Sequence, residues 1–313
     1  MTDWHPTASV EILQKRAALL AGLRTFFSER SVLEVDIPVL APATVTDPNI
    51  DSFSVTSPVN SGERYFLMPS PEFYMKRLLA AGCGSVYSMG HAFRAGDTGS
   101  CHQPEFTMLE WYRPNWTLAQ LAEEVKALIK QFIDLPVKRA SYRDVFLEYL
   151  GVDPHCASLD VLKKLSLEKC SPAFSSDDKS VWLDLLFSHI IEPELTGIVF
   201  LNEFPEEQAA LAKLQQDAVG NTVADRFEVY INGIEIANAY QEETDADVLE
   251  KRFLDNKALR ASRGQGVPEI DQLFLDAMRA GLPSCAGVAL GVDRLFMALL
   301  DERQIANVLP FAK

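Results

Sequence analysis

Residues Phe93 to Tyr112 read FRAGDTGSCHQPEFTMLEWY, two strand-like arms around a loop of small and polar residues. Side chains alternate between the faces of a strand. Val86, Ser88, Gly90, Ala92 and Arg94 therefore share one face of the first arm, and Phe106, Met108, Glu110 and Tyr112 share one face of the second. One surface of this hairpin then carries an arginine, an aromatic ring, a carboxylate and a phenol. The cation suits a phosphate, the ring a stacked base and the carboxylate an amine, a set that fits ATP plus an amino compound. The plainer alternative is a hairpin with ordinary surface charges.

Working outward, Tyr65 to Met68 reads as a short strand that leads into Pro69-Ser70-Pro71-Glu72. The two prolines push Met68 and Ser70 out of helical geometry. Pro71 then suits the first position of a helix, with Ser70 as its N-cap and Glu72 in its first turn. FYMKRLLAAG continues that helix to Gly82 and Gly84. Before it, residues 9–30 have apolar side chains at helical spacing, and SVLEVDIPVL is strand-like with Pro38 near its end, as at a sheet edge or terminus. Helix and edge strand make a surface for a partner subunit, or a capped edge in a monomer. Residues 41–62 read as loop and residues 117–133 as a second amphipathic helix. Residues 140–220 look mainly helical with short breaks and hold no catalytic constellation.

RFEVYINGIEIANAYQ, residues 226–241, is the clearest hairpin. Asn232-Gly233 is a type I′ turn signal between two β-rich runs. In the simple register Glu228 faces Ala237, Tyr230 faces Glu235, and Glu228 and Glu235 are diagonal neighbours on one face. Like charges so close call for a cation between them, and carboxylates beside a nucleotide are the usual way to hold Mg²⁺. Two solvated glutamates on an open face are the alternative. Asn238, Tyr240 and Glu242 have the opposite parity and join that face only through a bulge or strong twist near Ala237. Near the C-terminus, SCAGVALGVDRLFMALL is a glycine-spaced strand turning at Gly291 into a helix. Arg294 lies in the first turn of that helix, where the macrodipole disfavours a cation. Either an anionic ligand or a salt bridge to Asp293 or another acid accounts for it.

Composition narrows the classes. The chain has 313 residues, is 48% hydrophobic and 23% charged, and has a net charge of −15, a folded soluble composition and a poor one for nucleic acid. A local basic patch remains open at Lys76-Arg77 and among Lys251, Arg252, Lys257, Arg260 and Arg263. No apolar run approaches the roughly 20 residues of a membrane span, and the first residues have no secretory pattern, so the reading is no membrane and a cytoplasmic location. The five cysteines are widely spaced and lack a CxxC pair, which argues against a disulfide framework and a zinc site.

Taken together, the stretches resemble class II aminoacyl-tRNA synthetases. FRAGDTGSCHQPEFTMLEWY is similar to motif 2 of that family, GVALGVDRLFMAL to motif 3, and the first helix with SVLEVDIPVL to motif 1. SPEFYMKRLL, HQPEFTMLEWY and FEVYINGIEIANAYQEETD resemble the lysyl branch most. Motif 1 begins near residue 9, leaving no room for an anticodon-binding domain. That combination resembles the lysyl-type paralogues that modify a protein. The resemblance implies an α+β fold, a class II catalytic core with an antiparallel β-sheet flanked by helices. It implies a single domain over residues 1–313 with the mainly helical segment, at about 140–220, as an insertion, and a homodimer. It also implies ATP-dependent activation of (R)-β-lysine or lysine and transfer to a lysine ε-amino group of elongation factor P. The alternative is a minimal lysyl-tRNA synthetase-like enzyme charging tRNA or another small amine acceptor; acidity and the missing domain argue against tRNA. A non-catalytic paralogue would have lost its ATP-site residues, and they are present.

Roles follow from the same resemblance. Arg94 and Arg294 are the catalytic pair, Arg94 on the α-phosphate and Arg294 on adenine or the γ-phosphate. Phe106 stacks on adenine, His102 meets the outer phosphates, and Ala95, Gly96, Gln103, Glu235, Ile236 and Gly291 complete the ATP site. Glu228 and Glu235 hold Mg²⁺. Ser70, Pro71 and Glu72 take the amino end of the substrate, and Glu110, Tyr112, Asn238, Tyr240, Glu242 and Ala289 surround the rest. The chain departs from the synthetases in three places. Their motif 2 has Arg-Asn-Glu where this chain has Arg94-Ala95-Gly96. Tyr240 stands for their phenylalanine and Ala289 for their glycine.

Overall fold

The computed structural model describes residues 4–59 and 62–312. In chain order its elements are α1 (Val10–Ser28), β1 (Leu33–Glu34), β2 (Leu40–Ala41), β3 (Ser54–Thr56), β4 (Arg64–Leu67), α2 (Glu72–Ala80), β5 (Val86–Phe93), β6 (Glu105–Pro114), α3 (Leu118–Lys130), β7 (Val137–Ser141), α4 (Tyr142–Leu150), α5 (Leu159–Cys170), α6 (Lys179–Leu186), β8 (Ile198–Pro205), β9 (Leu214–Gln216), β10 (Thr222–Ile231), β11 (Ile234–Gln241), α7 (Ala246–Ser262), α8 (Gln272–Gly281), β12 (Cys285–Gly291) and α9 (Val292–Leu300). The chain forms two compact units, residues 1–133 with 243–313 and residues 134–242. Their sheets are mostly antiparallel, as the sequence predicts.

In the first unit the strands run β1-β5-β6-β12, with β1 parallel to β5 and the other pairs antiparallel. A small antiparallel sheet, β2-β4-β3, stands apart. Ser9 caps α1 by accepting from the Ile12 amide, and the helix buries Leu19, Leu23, Phe26 and Phe27. Phe27 stacks on Tyr87 of β5 at 4.4 Å and meets Trp111 of β6 edge-on at 5.1 Å. Val10 is exposed, so the apolar periodicity of α1 begins one turn later than the sequence suggests. Thr117 and Gln120 form a capping box that starts α3. Glu124 of α3 accepts from Trp111 at 3.0 Å and pairs with Arg113, a buried charge pair inside the core. Phe73 of α2 stacks on Phe274 of α8 at 4.2 Å, which fixes the helix that begins beside Ser70.

The strand-like run at residues 31–40 forms only the two-residue strands β1 and β2, broken where Pro38 removes a donor. The loop expected over residues 41–62 contains β3; residues 60 and 61 of that stretch lie outside the described residues.

In the second unit the strands run β11-β10-β8-β7, with β9 also paired to β10. The stretch expected to be mainly helical is helical through Glu194 and then turns to strand at β8 and β9. The β8 sequence IVFLNEFP is a short, nearly continuous apolar run, as suits a strand buried on both faces. Tyr142, Phe146, Trp182, Leu186, Leu201 and Phe204 form the core there. No described helix is long and apolar enough to cross a membrane.

Candidate active site

The hairpin of the first unit has the expected faces. Its register pairs Val86 with Tyr112, Ser88 with Glu110, Gly90 with Met108 and Ala92 with Phe106. Glu110 is 2% exposed. Ser70 donates to its Oε2 at 2.8 Å and Tyr112 to its Oε1 at 2.6 Å. Ser70 also accepts from the Glu72 amide at 3.0 Å, but α2 begins one residue later than expected: Pro71, at φ −76°, takes the cap position and no side chain caps the helix. Lys76, one turn along and wholly buried, donates to Glu72 Oε1 at 2.6 Å. On the other side of β6, Ala289 of β12 lies directly opposite Glu110 and Gly287 opposite Tyr112. Burial pushes the Glu110 carboxyl up to about 8, and the charge of Glu72 adds to this against the pull of Tyr112, Ser70 and Lys76. Ser70, Glu72, Glu110, Tyr112 and Ala289 are thus gathered in one place around a carboxyl group that stays protonated at neutral pH when no cation is bound.

The other end of the hairpin gathers a second group. Arg94 continues the β5–β6 ladder, its amide donating to Pro104 O at 2.9 Å, and its guanidinium lies 5.3 Å from the Phe106 ring. Arg94 Nε is buried and has no hydrogen-bond partner among the described residues. Such an orphaned donor fits an anionic ligand. The Ala95 amide donates to Asp51 O at 2.7 Å. Gly96 follows at φ +86°, a left-handed conformation in which glutamate would be strained. That accounts for glycine here in place of the acid of the Arg-Asn-Glu pattern. The loop then turns back through a Gly99–His102 bridge to Gln103.

Gly291 ends β12 opposite Met108 and leads into α9. Arg294 in its first turn donates to Cys101 O at 3.3 Å and to His102 Nε2 at 2.6 Å. Arginine can only donate, so His102 Nε2 is the acceptor and the ring is neutral. Asp293 turns elsewhere, pairing with Arg16 at 2.6 Å and accepting from the Thr107 amide. The salt-bridge account of Arg294 through Asp293 therefore falls.

In the second unit the Asn232-Gly233 turn is present, with both residues at positive φ, and Tyr230 pairs with Glu235 as expected. Beyond it the register shifts between Val229 and Tyr230, so that Ile236 is the extra residue of a bulge. Glu228 then faces Asn238, not Ala237, and Arg226 faces Tyr240. The bulge is the device that the opposite parity of Asn238 and Tyr240 demanded. It places Glu235, Asn238 and Tyr240 on the same face as Glu228. Asn238 donates to Tyr240 at 3.0 Å, and its Oδ1 is buried with no hydrogen-bond partner among the described residues. Glu242 continues β11 in a bridge to Ala212 and is buried.

Glu228 accepts from both Arg226 and Tyr230. Burial pushes its carboxyl up to about 7; Arg226 opposes this and Glu235 adds to it. Two carboxylates on one face fit a divalent cation in donor chemistry. A cation bound there would compete with Arg226 for Glu228.

Three residues in or behind these groups carry no functional signal in the sequence. Lys76 stands four residues after Glu72, the spacing of a helical ion pair, and had been grouped with Arg77 as a basic patch. Arg226 stands two residues before Glu228, on the same strand face. Arg260 was counted with surface cations; it is 5% exposed.

A family model described as tRNA synthetases class II (D, K and N) matches residues 1–313. The chain belongs to that family. Curated relatives match it over nearly its whole length. The protein named elongation factor P–(R)-β-lysine ligase in Salmonella typhi is 44% identical over 98% of this chain and 97% of its own. Proteins of the same name in Salmonella paratyphi B and Salmonella schwarzengrund are each 43% identical over the same shares.

Proposed function

We propose that this chain is an ATP-dependent ligase that activates (R)-β-lysine as an adenylate and transfers it to a lysine ε-amino group of elongation factor P. The observation that carries this reading is the likeness over nearly the whole length to ligases of that name. The amine pocket supports it: Glu72 and Glu110, a phenol and a serine gathered around α2 suit a substrate with ammonium groups.

The substrate carboxylate attacks the α-phosphorus of ATP and pyrophosphate leaves. The ε-amine of the acceptor then attacks the adenylate carbonyl, AMP leaves and the amine gives up a proton. Arg94 is assigned to the α-phosphate, stabilising charge as pyrophosphate departs, and its unpaired Nε supports that role. Phe106 is assigned to stack on adenine. With Glu in the Arg-Asn-Glu pattern replaced by Gly96, adenine contact there falls to the backbone of Ala95 and Gly96. His102, Gln103, Gly291 and Arg294 are assigned to the rest of the nucleotide, and phosphates would take over the donors that Arg294 now gives to Cys101 and His102. Glu228 and Glu235 are assigned to Mg²⁺, which neutralises phosphate charge when bound, and Ile236 to the nucleotide. Ser70, Pro71, Glu72, Glu110, Tyr112 and Ala289 are assigned to the amino acid, with Asn238, Tyr240 and Glu242. A cytoplasmic homodimer belongs to the same reading. Exposed Leu33, Val39, Leu40, Phe53 and Val55 beside the short edge strands suit cover by a second copy.

An ATP–pyrophosphate exchange panel with α- and β-lysine isomers tests the activation step. Exchange that depends on (R)-β-lysine is the expected result, and no exchange with any lysine isomer would sink the reading.

A further inference from the structure

Arg260 lies in the last turn of α7 and is almost wholly buried. It spends its guanidinium on one segment and its own loop. Nη2 pairs with Asp51 Oδ1 at 2.6 Å, Nη1 donates to Asp47 O at 2.7 Å and to Ile50 O at 3.2 Å, and Nε donates to Gly266 O at 2.6 Å. Gln265 adds a bond to Pro48 O at 2.9 Å. Residues 47–51 form an irregular loop with no sheet ladder of its own, so these bonds decide where its backbone runs.

The far end of that loop carries the consequence. Asp51 O accepts from the Ala95 amide at 2.7 Å, and Ala95 stands between Arg94 and Gly96. Past Gly96 the hairpin loop is next tied down at Ser100, whose carbonyl accepts from the Ile305 amide at 2.7 Å. The bond to Asp51 is thus the tie nearest to Arg94 on its loop side. We infer that Arg260 is a positioning residue for the nucleotide limb of the hairpin, acting through Asp51 on Ala95 and so on Arg94. The inference rests on the assignment of Arg94 and Ala95 to ATP. Among the described residues the amine pocket takes no bond from this strap: Ser70, Glu72 and Glu110 are held by one another, by Tyr112 and by Lys76. The two substrates should therefore separate. A misplacement of a catalytic group by about 1 Å can cost on the order of 100-fold, and a loosened strap should cost a part of that.

The test compares Arg260→Met, Arg260→Lys and Asp51→Asn with wild type in ATP–pyrophosphate exchange, each protein first checked for an unchanged melting profile. Asp51→Asn serves if Arg260→Met fails to fold, because the Asp51 side chain is half-exposed. Expected are a rise of about 10-fold in KM for ATP in Arg260→Met with KM for the amino acid within twofold, a smaller rise in Asp51→Asn, and partial recovery in Arg260→Lys. Amide hydrogen exchange should quicken in peptides covering residues 94–104 and stay unchanged over 86–92. Equal changes in the two KM values, or unchanged exchange over 94–104, would overturn the inference. Arg94→Ala runs alongside. If it abolishes activity while the Arg260 variants behave as wild type, the strap is wrong and the nucleotide assignment stands. If Arg94→Ala is fully active, both fall.

Discussion

Glu110 and Ala289 lie directly opposite each other across the antiparallel β6–β12 pair, so the methyl that stands where the synthetases have glycine sits beside the buried carboxylate of the amine pocket. Directly opposed residues in such a pair have Cβ atoms about 5 Å apart. Ala289→Gly should therefore change the selection between α- and β-lysine. The ratio of kcat/KM for the two isomers should move toward α-lysine by about 10-fold or more, since a methyl in a pocket is worth about 1–3 kcal/mol. An unchanged ratio in competition assays would remove Ala289 from the specificity determinants.

Glu110 sets a pH dependence. Its carboxyl titrates at about 8 in the ligand-free protein, raised first by burial. Below that pH it carries a proton that must leave before it can pair with an ammonium group. Affinity for the amino acid should rise with pH from 6 to 8 by up to about 10-fold per unit, with a proton released to buffer in calorimetry. Glu110→Gln should flatten that slope and weaken binding of the amine more than of ATP. The sign for stability is the reverse of an ordinary salt-bridged acid. A folded pKa above the unfolded 4.5 means stability from this group is present below pH 4.5 and is lost as pH rises through 8. Without substrate, Glu110→Gln should melt at or above the wild-type temperature at pH 8.

Arg94→Ala should abolish adenylate formation, a loss of about 100-fold or more in exchange, with little change in melting temperature. Nε of Arg94 has no hydrogen-bond partner to lose among the described residues. Activity within threefold of wild type would show that Arg94 is not on the α-phosphate.

Glu124→Ala tests the core. It leaves Arg113 buried without its carboxylate and Trp111 without its acceptor. Loss of one partner of such a pair costs about 3–5 kcal/mol, measured by denaturant unfolding. A variant as stable as wild type would show that the pair contributes no stability.

Much of the site is legible in the sequence. Alternation along 86–94 and 106–112 put Arg94, Phe106, Glu110 and Tyr112 on one hairpin face, because strand period is a local property. Parity in β11 required a bulge or strong twist near Ala237, and Ile236, the neighbouring residue, bulges out and hands Glu228 to Asn238. What stayed hidden depends on distant partners. A basic residue in a charged helix looks solvated until the loop it holds, more than two hundred positions away, packs against it, as with Arg260 and Asp51. Lys76 looked like surface charge because nothing local shows that α2 is covered by α8. The strand β8 hid in a stretch read as helical, since a short apolar run has the same composition in a buried strand as in a buried helix.

The proposed reaction ends in transfer of an activated β-amino acid to a protein lysine. Intact-mass measurement of purified elongation factor P, incubated with this protein, ATP, Mg²⁺ and (R)-β-lysine, tests it most directly. The expected result is a gain of one lysyl unit on a single lysine, absent without ATP and absent with Arg94→Ala. An unmodified elongation factor P, in a reaction where pyrophosphate exchange is running, would contradict it.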